Sequence, residues 1–389
     1  MVGTELSWDA VQATVAELKP IIEQYRDDAE QDRRLPNAVF AAMRDTGLLK
    51  LWTPKEYGGS EVDITVFMRT VEELSRVDGA AGWVFANLAA GSVLAAHLPE
   101  AGAREVYANG ASTPLPGSVA PRGRAKPVDG GYRVSGRWPL SSGCHHGEWL
   151  VVTALVFDGD VPRMGPHGAP NLAQLFVRHD EAQILDTWHS LGLRGSGSTD
   201  FAVEDAFVPE HRVFILFMDP PQVAGPLYRA GILPLYSLAL TTVSLGIARA
   251  AIDAFVALAK EKTPTLSQTG LATRPTIHAE VAHAEAQLQS ARAYLYSVAD
   301  DIMASLRAGS DVPDELESRR RLACVNAGAV CPTVANQMFA LAGTTPIYTG
   351  HPLERFLRDV RTASQHLAVS PVWWEKTGQF YFGLGLGMP

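Results

Sequence analysis

Cysteine and charge are both scarce in this chain. Three of its 389 residues are cysteines, Cys144, Cys324 and Cys331. They are too few and too scattered for a disulfide framework or a zinc site, and they fit a reducing, cytoplasmic setting. Charged residues make up only 19% of the chain and the net charge is −9. That balance excludes a broad nucleic-acid-binding face.

The sequence also lacks the patterns of a signal peptide and of a membrane span. No basic start followed by an apolar run is visible, so we expect no signal peptide. Two stretches carry no Asp, Glu, Lys or Arg, Gly79–His97 and Ala230–Ala248, but small, hydroxyl and Pro residues interrupt them. A bilayer favours denser Leu, Ile and Phe. We therefore expect buried helices and no membrane partner.

The chain has three successive parts that differ in the pattern of their apolar residues. Apolar residues recur at helical spacing in the first part and again in the last, and they alternate as in strands between these parts. The predicted helices are Trp8–Gln31, Pro36–Gly47, Ile64–Val77, Gly82–Leu98, Leu235–Lys262, Thr276–Ala308, Glu315–Thr344 and a last one from His351 to His366. The predicted strands are Gly131–Trp138, Trp149–Phe157, Leu172–Val177 and Asp200–Phe207.

These patterns predict a multidomain α+β fold. We expect an N-terminal helical domain over residues 1–110, a small all-β domain over 111–221 and a helical bundle of four long helices over 222–389. The hydrophobic share of 47% lies on the apolar side for a soluble protein, which indicates further burial between subunits.

Three strings, in chain order, carry a resemblance to a known family. They are Gly47-Leu-Leu through Pro54-Lys-Glu-Tyr-Gly-Gly59, Leu191-Gly-Leu-Arg-Gly-Ser-Gly-Ser-Thr-Asp200 through Pro209, and His351-Pro-Leu-Glu-Arg through Arg358-Asp359. They are similar to motifs of the acyl-CoA dehydrogenase superfamily, and the resemblance covers nearly the whole chain. It implies that the all-β domain is a β-barrel and that the bundle has four helices.

The residues after Arg358-Asp359 indicate which chemistry the resemblance implies. Many dehydrogenases keep a catalytic glutamate here, and this chain has Leu367, which accepts no proton, preceded by His366. Two-component flavin-dependent monooxygenases carry a His near this point. They also carry a pattern like Ser141-Ser-Gly-Cys-His-His-Gly-Glu-Trp149. The chain therefore resembles the monooxygenase branch, which includes hydroxylases of steroid-derived phenols and hydroxyphenylacetate and the dibenzothiophene monooxygenases.

The resemblance implies a reaction and its partners. We expect an oxygenase component that uses reduced flavin and O₂, by way of a C4a-hydroperoxide, to hydroxylate an aromatic or polycyclic small molecule. A separate reductase would supply the flavin, with FMNH₂ favoured over FADH₂, and the assembly would be a homotetramer, a dimer of dimers. The alternatives are an acyl-CoA dehydrogenase with FAD and a displaced base, or a non-catalytic flavin-binding subunit.

The resemblance also implies roles for particular residues. His366 would act either as a base toward the substrate or as a hydrogen-bond partner of the oxygenated flavin, since the unperturbed imidazole pKa of ~6.5 suits both. Ser141 or Ser142 would accept a hydrogen bond from flavin N5–H; the sequence leaves the choice open. Further flavin contacts are expected from Trp138, Gly143, Arg194, Gly195, Ser196 and Ser198, and Lys262 or Arg274 would bind the flavin phosphate.

Two other histidine positions need an interpretation. Adjacent residues on a strand diverge, and no third ligand is suitably spaced, so we predict no metal site at His145-His146. His97, at the end of an apolar helix, is expected to be structural.

Overall fold

The computed structural model describes residues 7–166 and 168–387. The N-terminal part of the chain forms a layer of helices. Its helices are α1 Trp8–Asp32, α2 Asn37–Asp45, α3 Ile64–Val77, α4 Gly79–Ala90, α5 Ser92–Ala95 and α6 Glu100–Val106. One stripe of α1 is buried, through residues such as Val11, Val15 and Leu18, as its helical spacing predicts. The predicted bounds of α3 are confirmed at both ends.

One predicted helix is broken in two, because Gly91 separates α4 from α5. A Cβ on Gly91 would lie 2.3 Å from the carbonyl oxygen of Leu115, so only glycine allows this close approach. The prediction of a continuous helix over Gly82–Leu98 was therefore wrong at this point. Gly91 itself keeps helical backbone angles, with a φ of −53° and a ψ of −27°. His97, which follows α5, lines the large cavity described below.

The middle of the chain forms one sheet of eight strands. They are β1 Gly117–Val128, β2 Gly131–Ser141, β3 Trp149–Asp158, β4 Val161–Pro162, β5 Leu172–Arg178, β6 Ala182–Leu185, β7 Thr199–Pro209 and β8 Val213–Ile215. The strand order is β6-β7-β2-β1-β3-β5-β8, with β4 beside β3. The four predicted strands are confirmed, and they correspond to β2, β3, β5 and β7.

A register shift interrupts β2 just before the two adjacent serines. β2 pairs antiparallel with β7, but the register changes between Trp138 and Ser141. Leu140, in between, has a φ of +61°, in the left-handed region that a leucine rarely adopts. The bulge resets which side chains face each side of the sheet from this point on.

The C-terminal part is a helical bundle. Its helices are α7 Ile232–Glu261, α8 Pro275–Arg307, α9 Asp314–Leu341, α10 Pro352–Ala363 and α11 Val372–Tyr381. Among the helices that the structure describes, α7 alone is long and apolar enough to span a membrane, with a mean hydropathy of 1.6. However, 67% of that window is buried inside the protein. It is the central core helix that the sequence predicts.

The sheet and the bundle meet at a loop held by α10. The backbone N–H of Leu193 donates to Asp359 Oδ1 at 2.6 Å. A Cβ on Gly192 would lie 2.2 Å from the carbonyl oxygen of Arg358, so the loop lies directly on the helix. This junction places the turn over residues 194–198 beside the end of α10.

Candidate active site

A single large cavity lies where the three parts of the chain meet. Its volume is about 1470 Å³, larger than the ~300–1,000 Å³ of most small-molecule sites. The N-terminal helices, the sheet and the bundle all contribute polar side chains to its wall: Trp83, Asn87, His97, Ser142, Gln174, Ser198, Tyr236, Glu317, Arg320, Arg321 and His366. The space suffices for two ligands of moderate size at once.

A chain of hydroxyl groups crosses the sheet side of this cavity. Trp83 Nε1–H donates to Ser142 Oγ at 2.9 Å. Ser142 Oγ lies 2.7 Å from Ser198 Oγ, which lies 2.7 Å from Ser196 Oγ. An indole N–H can only donate, so Ser142 uses one lone pair for Trp83. If Ser142 donates its own proton to Ser198, its second lone pair is free for a ligand.

The neighbouring Ser141 has a different environment. Its side chain is fully buried and its Oγ has no hydrogen-bond partner. The thiol of Cys144 lies close enough to interact weakly, and burial raises the pKa of that thiol to about 12, so it is neutral. Ser142 lines the cavity, whereas Ser141 faces the protein interior. The geometry therefore favours Ser142 where the sequence left both serines open.

His366 also lines the cavity, in a turn after α10. The predicted helix runs through His366, but α10 ends at Ala363. His366 Nδ1 accepts the backbone N–H of Ala368 at 3.1 Å and so caps the next turn. The Trp373 indole fixes the same turn by donating to the Leu367 carbonyl at 2.6 Å. The edge of Trp83 approaches the imidazole, with 5.6 Å between ring centroids.

The protonation of His366 follows from these contacts. Although its ring is open to the cavity, burial lowers its pKa from 6.5 to about 4, so the ring is neutral near pH 7. A backbone N–H can only donate, so Nδ1 carries the lone pair and the proton lies on Nε2. In this arrangement His366 offers the cavity a hydrogen-bond donor and not a base.

His97 shows the reverse arrangement and was missed as a wall residue. Its ring stacks on Phe214, with 5.1 Å between centroids. Its Nδ1 lies 3.0 Å from the Val93 carbonyl oxygen, which can only accept, so the proton lies on Nδ1. Burial lowers the pKa of His97. Nε2 is therefore an acceptor, a role that no sequence pattern indicated.

Several residues that were predicted to contact the flavin lie behind the residues that line the cavity. Trp138 is fully buried in the sheet core, where Nε1 donates to the Thr153 carbonyl at 2.7 Å and the ring stacks on Phe201. It does not line the cavity, and its expected contact with a flavin stays a prediction. Gly143, with a φ of +70°, donates its N–H to the Ser196 carbonyl at 3.1 Å.

The remaining predicted residues are also placed away from the wall. Arg194 donates to the Ser190 carbonyl and pairs with Glu30, and Gly195 packs against α1. The Lys262 ammonium is bound to the Ala342 carbonyl and the Thr345 hydroxyl, both at 2.6 Å. Neither Lys262 nor Arg274 lines the cavity. Their role toward a flavin phosphate stays a prediction.

The wall that the structure describes fits a flavin in chemical terms. A flat heteroaromatic ring needs aromatic and apolar neighbours together with a few hydroxyl and amide groups at its polar edge. Trp83 and Trp188 supply the former, and Ser142, Ser198 and Asn87 the latter. When Ser142 donates its proton to Ser198, its free lone pair would suit the N–H that a reduced flavin carries at N5. The remaining volume leaves room for a second ligand.

Comparisons with known proteins show which family this chain resembles over most of its length. Residues 5–107 match the family described as acyl-CoA dehydrogenase, N-terminal domain, and residues 238–371 match acyl-CoA dehydrogenase, C-terminal domain. Indole-3-acetate monooxygenase of Pseudomonas putida is 34% identical over 91% of this chain and 89% of its own. The oxygenase subunit HsaA of a flavin-dependent monooxygenase from Rhodococcus jostii is 30% identical, covering 91% and 93%. XiaF from Streptomyces, solved with FADH2 and glycerol, superposes with a TM-score of 0.91 at 27% identity, covering 97% and 96%.

Proposed function

Because this chain belongs to the acyl-CoA dehydrogenase superfamily, with flavin-dependent monooxygenases among its relatives, we propose that it is the oxygenase component of a two-component flavin-dependent monooxygenase. It hydroxylates an aromatic or polycyclic small molecule with reduced flavin and O₂, and a separate reductase supplies the flavin. The observation that carries the proposal is that Ser142 and a neutral His366 line the same cavity, and that Leu367 stands where many dehydrogenases keep a carboxylate.

The hydrogen bonds of Ser142 and His366 determine which role each side chain can have in the reaction. Reduced flavin, when bound, supplies the activation of O₂ for transfer of one oxygen atom. Ser142 Oγ would hold the proton at flavin N5, with Trp83 and Ser198 fixing its orientation. His366 would donate from Nε2 to an oxygen in the cavity. The apolar wall would exclude water from the reacting groups.

A dehydrogenase reaction finds less support in the wall. It needs a carboxylate free to remove a proton, and the lining residues that the structure describes include two carboxylates. Glu317 is bound by Arg320 and Arg321, and Asp219 accepts the backbone N–H of Ile215 at 2.6 Å. Both are occupied, so we do not propose a displaced base.

The choice between the two reduced flavins stays a prediction, with FMNH₂ favoured by the sequence. XiaF, solved with FADH2, supports testing FADH₂ as well. The proposed reaction is tested by incubating the purified chain with a flavin reductase, NADH, ¹⁸O₂ and a panel of phenols and indoles, with FMN or FAD. We expect product that carries one ¹⁸O atom and that requires the reductase. Reduction of a bound flavin by an acyl-CoA, without oxygen transfer, would contradict the proposal.

We also propose the homotetramer that the resemblance implies, in the cytoplasm. Large apolar side chains are exposed along α11 and the segment after it: Trp374, Tyr381, Phe382 and Leu384 are 44%, 64%, 85% and 73% exposed. Such a patch is typical of an interface between subunits. Light scattering should give a particle of four 41.9 kDa chains. A monomeric particle at micromolar concentration would refute this assembly.

A further inference from the structure

The bundle wall of the cavity carries a buried ionic cluster of Glu317, Arg320 and Arg321, which the proposed reaction does not use. Arg320 holds the Glu317 carboxylate with two hydrogen bonds, of 2.6 and 2.7 Å. Arg321 Nε donates to the same carboxylate at 2.8 Å. Each arginine side chain is only about one-fifteenth exposed, at 7% and 6%. All three residues line the cavity.

The cluster holds one more positive than negative charge. Among the residues that the structure describes, Glu317 is the only carboxylate paired with either arginine. Burial opposes ionisation of Glu317, but the two guanidinium groups outweigh it and lower its pKa. Burial likewise disfavours the charged form of Arg320, but the hydrogen bonds that Arg320 donates to Glu317 and the attraction between the two charges raise its pKa. All three groups are therefore charged, which leaves a net charge of about +1 in a largely apolar wall.

The other contacts of the two guanidinium groups are neutral. Arg320 Nη1 lies 3.9 Å from the Cys324 sulfur, and burial raises the pKa of that thiol. Arg321 Nη1 donates to the Leu386 carbonyl at 2.8 Å. Neither contact supplies negative charge. A buried cation without a full counter-charge is costly unless a ligand brings one.

The surroundings indicate what kind of anion fits. The Arg321 guanidinium lies over the Trp373 ring, 5.1 Å from its centroid. Trp373 in turn donates to the carbonyl of Leu367, next to His366. Tyr236 and Leu240 of α7 belong to the same cavity wall. The positive charge is thus adjacent to an aromatic and apolar surface that is connected to the His366 turn.

We infer that Arg320 and Arg321 recognise a carboxylate on the aromatic substrate, so that this enzyme acts on aryl carboxylic acids in preference to neutral aromatics. The inference rests on the proposed function for the identity of the cavity. A guanidinium group matches the planar carboxylate geometry, and Glu317 holds both guanidinium groups in place before the substrate arrives. The hydroxylated ring would lie toward His366 and the acid toward α9.

Equilibrium binding tests this inference without requiring turnover. Calorimetric titration of the flavin-free protein compares three acids, indole-3-acetate, phenylacetate and 4-hydroxyphenylacetate, with their uncharged amides. We expect the wild-type chain to bind at least one acid about 10- to 100-fold more tightly than its amide, as for a hydrogen-bonded charge. Absence of such a preference in all three pairs, including absence of binding, would overturn the inference.

Variants assign the preference to the cluster. Arg321→Gln should weaken the acid by about 10-fold or more and leave the amide unchanged. Arg319→Gln is the matched control, because Arg319 lies on the same helix but pairs with Asp301 at the surface. A thermal melt of each variant confirms folding, and Arg321→Lys, which keeps the charge, should recover part of the affinity.

Two results would assign the cluster differently. Equal weakening of acid and amide by Arg321→Gln would mean a purely structural role. Loss of affinity for reduced FMN or FAD, with acid binding retained, would mean that the arginines bind the flavin phosphate. Failure of the oxygenase proposal would be distinguishable. The protein would then still bind the acids more tightly than the amides, but it would transfer no ¹⁸O from ¹⁸O₂ to them.

Discussion

Substituting each of the two adjacent serines of β2 by alanine should give opposite results. Ser142→Ala removes the acceptor of the Trp83 indole and the partner of Ser198. Ser141→Ala removes a buried hydroxyl that has no hydrogen-bond partner. The two changes delete the same atom from neighbouring residues, so each is the control for the other.

The structure sets the size of the difference. After Ser142→Ala the Trp83 N–H loses its acceptor, which costs ~1 kcal/mol of unfolding free energy if cavity water replaces it and ~3 kcal/mol if none does. For a chain of this length the melting temperature should fall by roughly 1–4 °C. Ser141→Ala relieves an unpaired polar group, so the unfolding free energy should stay unchanged or rise by about 1 kcal/mol.

The same pair separates the catalytic roles. With reductase, reduced flavin and an accepted substrate, Ser142→Ala should release more hydrogen peroxide per O₂ consumed, because the flavin N5 proton loses its acceptor. Ser141→Ala should keep the wild-type ratio of product to peroxide. The measurements are urea denaturation without flavin, and O₂, peroxide and product yields in the coupled assay. Equal effects of the two substitutions, or the reverse order, would refute the assignment of Ser142 to the cavity.

Three further predictions concern other contacts. His366→Asn keeps an acceptor for the Ala368 N–H but removes the Nε2 donor, so product yield should fall by about 2- to 10-fold at unchanged stability. Because the wild-type pKa is about 4, His366 should contribute no step to the pH–rate profile between pH 8 and about 5, and a His366-dependent step near pH 6.5 would contradict this. Burial and, to a smaller extent, the charge of Asp78 raise the Asp359 pKa from 3.8 to about 7. The contribution of Asp359 to the free energy of unfolding is therefore complete below pH 3.8 and is lost as pH rises through 7. Asp359→Asn should therefore gain stability over wild type in urea denaturation as pH rises from about 4 to about 7, and a difference that stays constant over this range would refute the sign. Lys262→Met leaves the Ala342 carbonyl without its ammonium donor and should cost ~1–3 kcal/mol of stability, while fluorescence titration should show unchanged flavin affinity; a selective loss of flavin affinity would restore Lys262 as a phosphate ligand.

Helical periodicity predicted most of the fold because burial of one face determines where a helix lies. The bounds of α3 were predicted at both ends, and those of α7 within three residues, Leu235–Lys262 against Ile232–Glu261. β1 was not predicted, because Pro121 and Pro127 interrupt its pattern although it pairs within the sheet. The fold class was predictable since it depends on patterns repeated over many residues.

The site was less predictable because it depends on single backbone features. Gly91 leaves room for the Leu115 carbonyl, a contact between residues that no local pattern links. His97, which was expected from the sequence to be structural, lines the cavity. The lone pair on His366 Nδ1 follows from one backbone N–H, that of Ala368. The sequence indicated which residue types matter but not which way their protons point.

Leu140 of β2 has a left-handed backbone conformation, and this irregularity determines which side chains of the strand end face the cavity. Side chains alternate between the two faces, so the single irregularity at Leu140 determines which of two identical side chains meets the ligand. Deleting one residue there would place a different side chain at the position of Ser141, the last residue of β2, without altering either serine. Alignment by residue type alone would therefore not show which hydroxyl group faces the cavity.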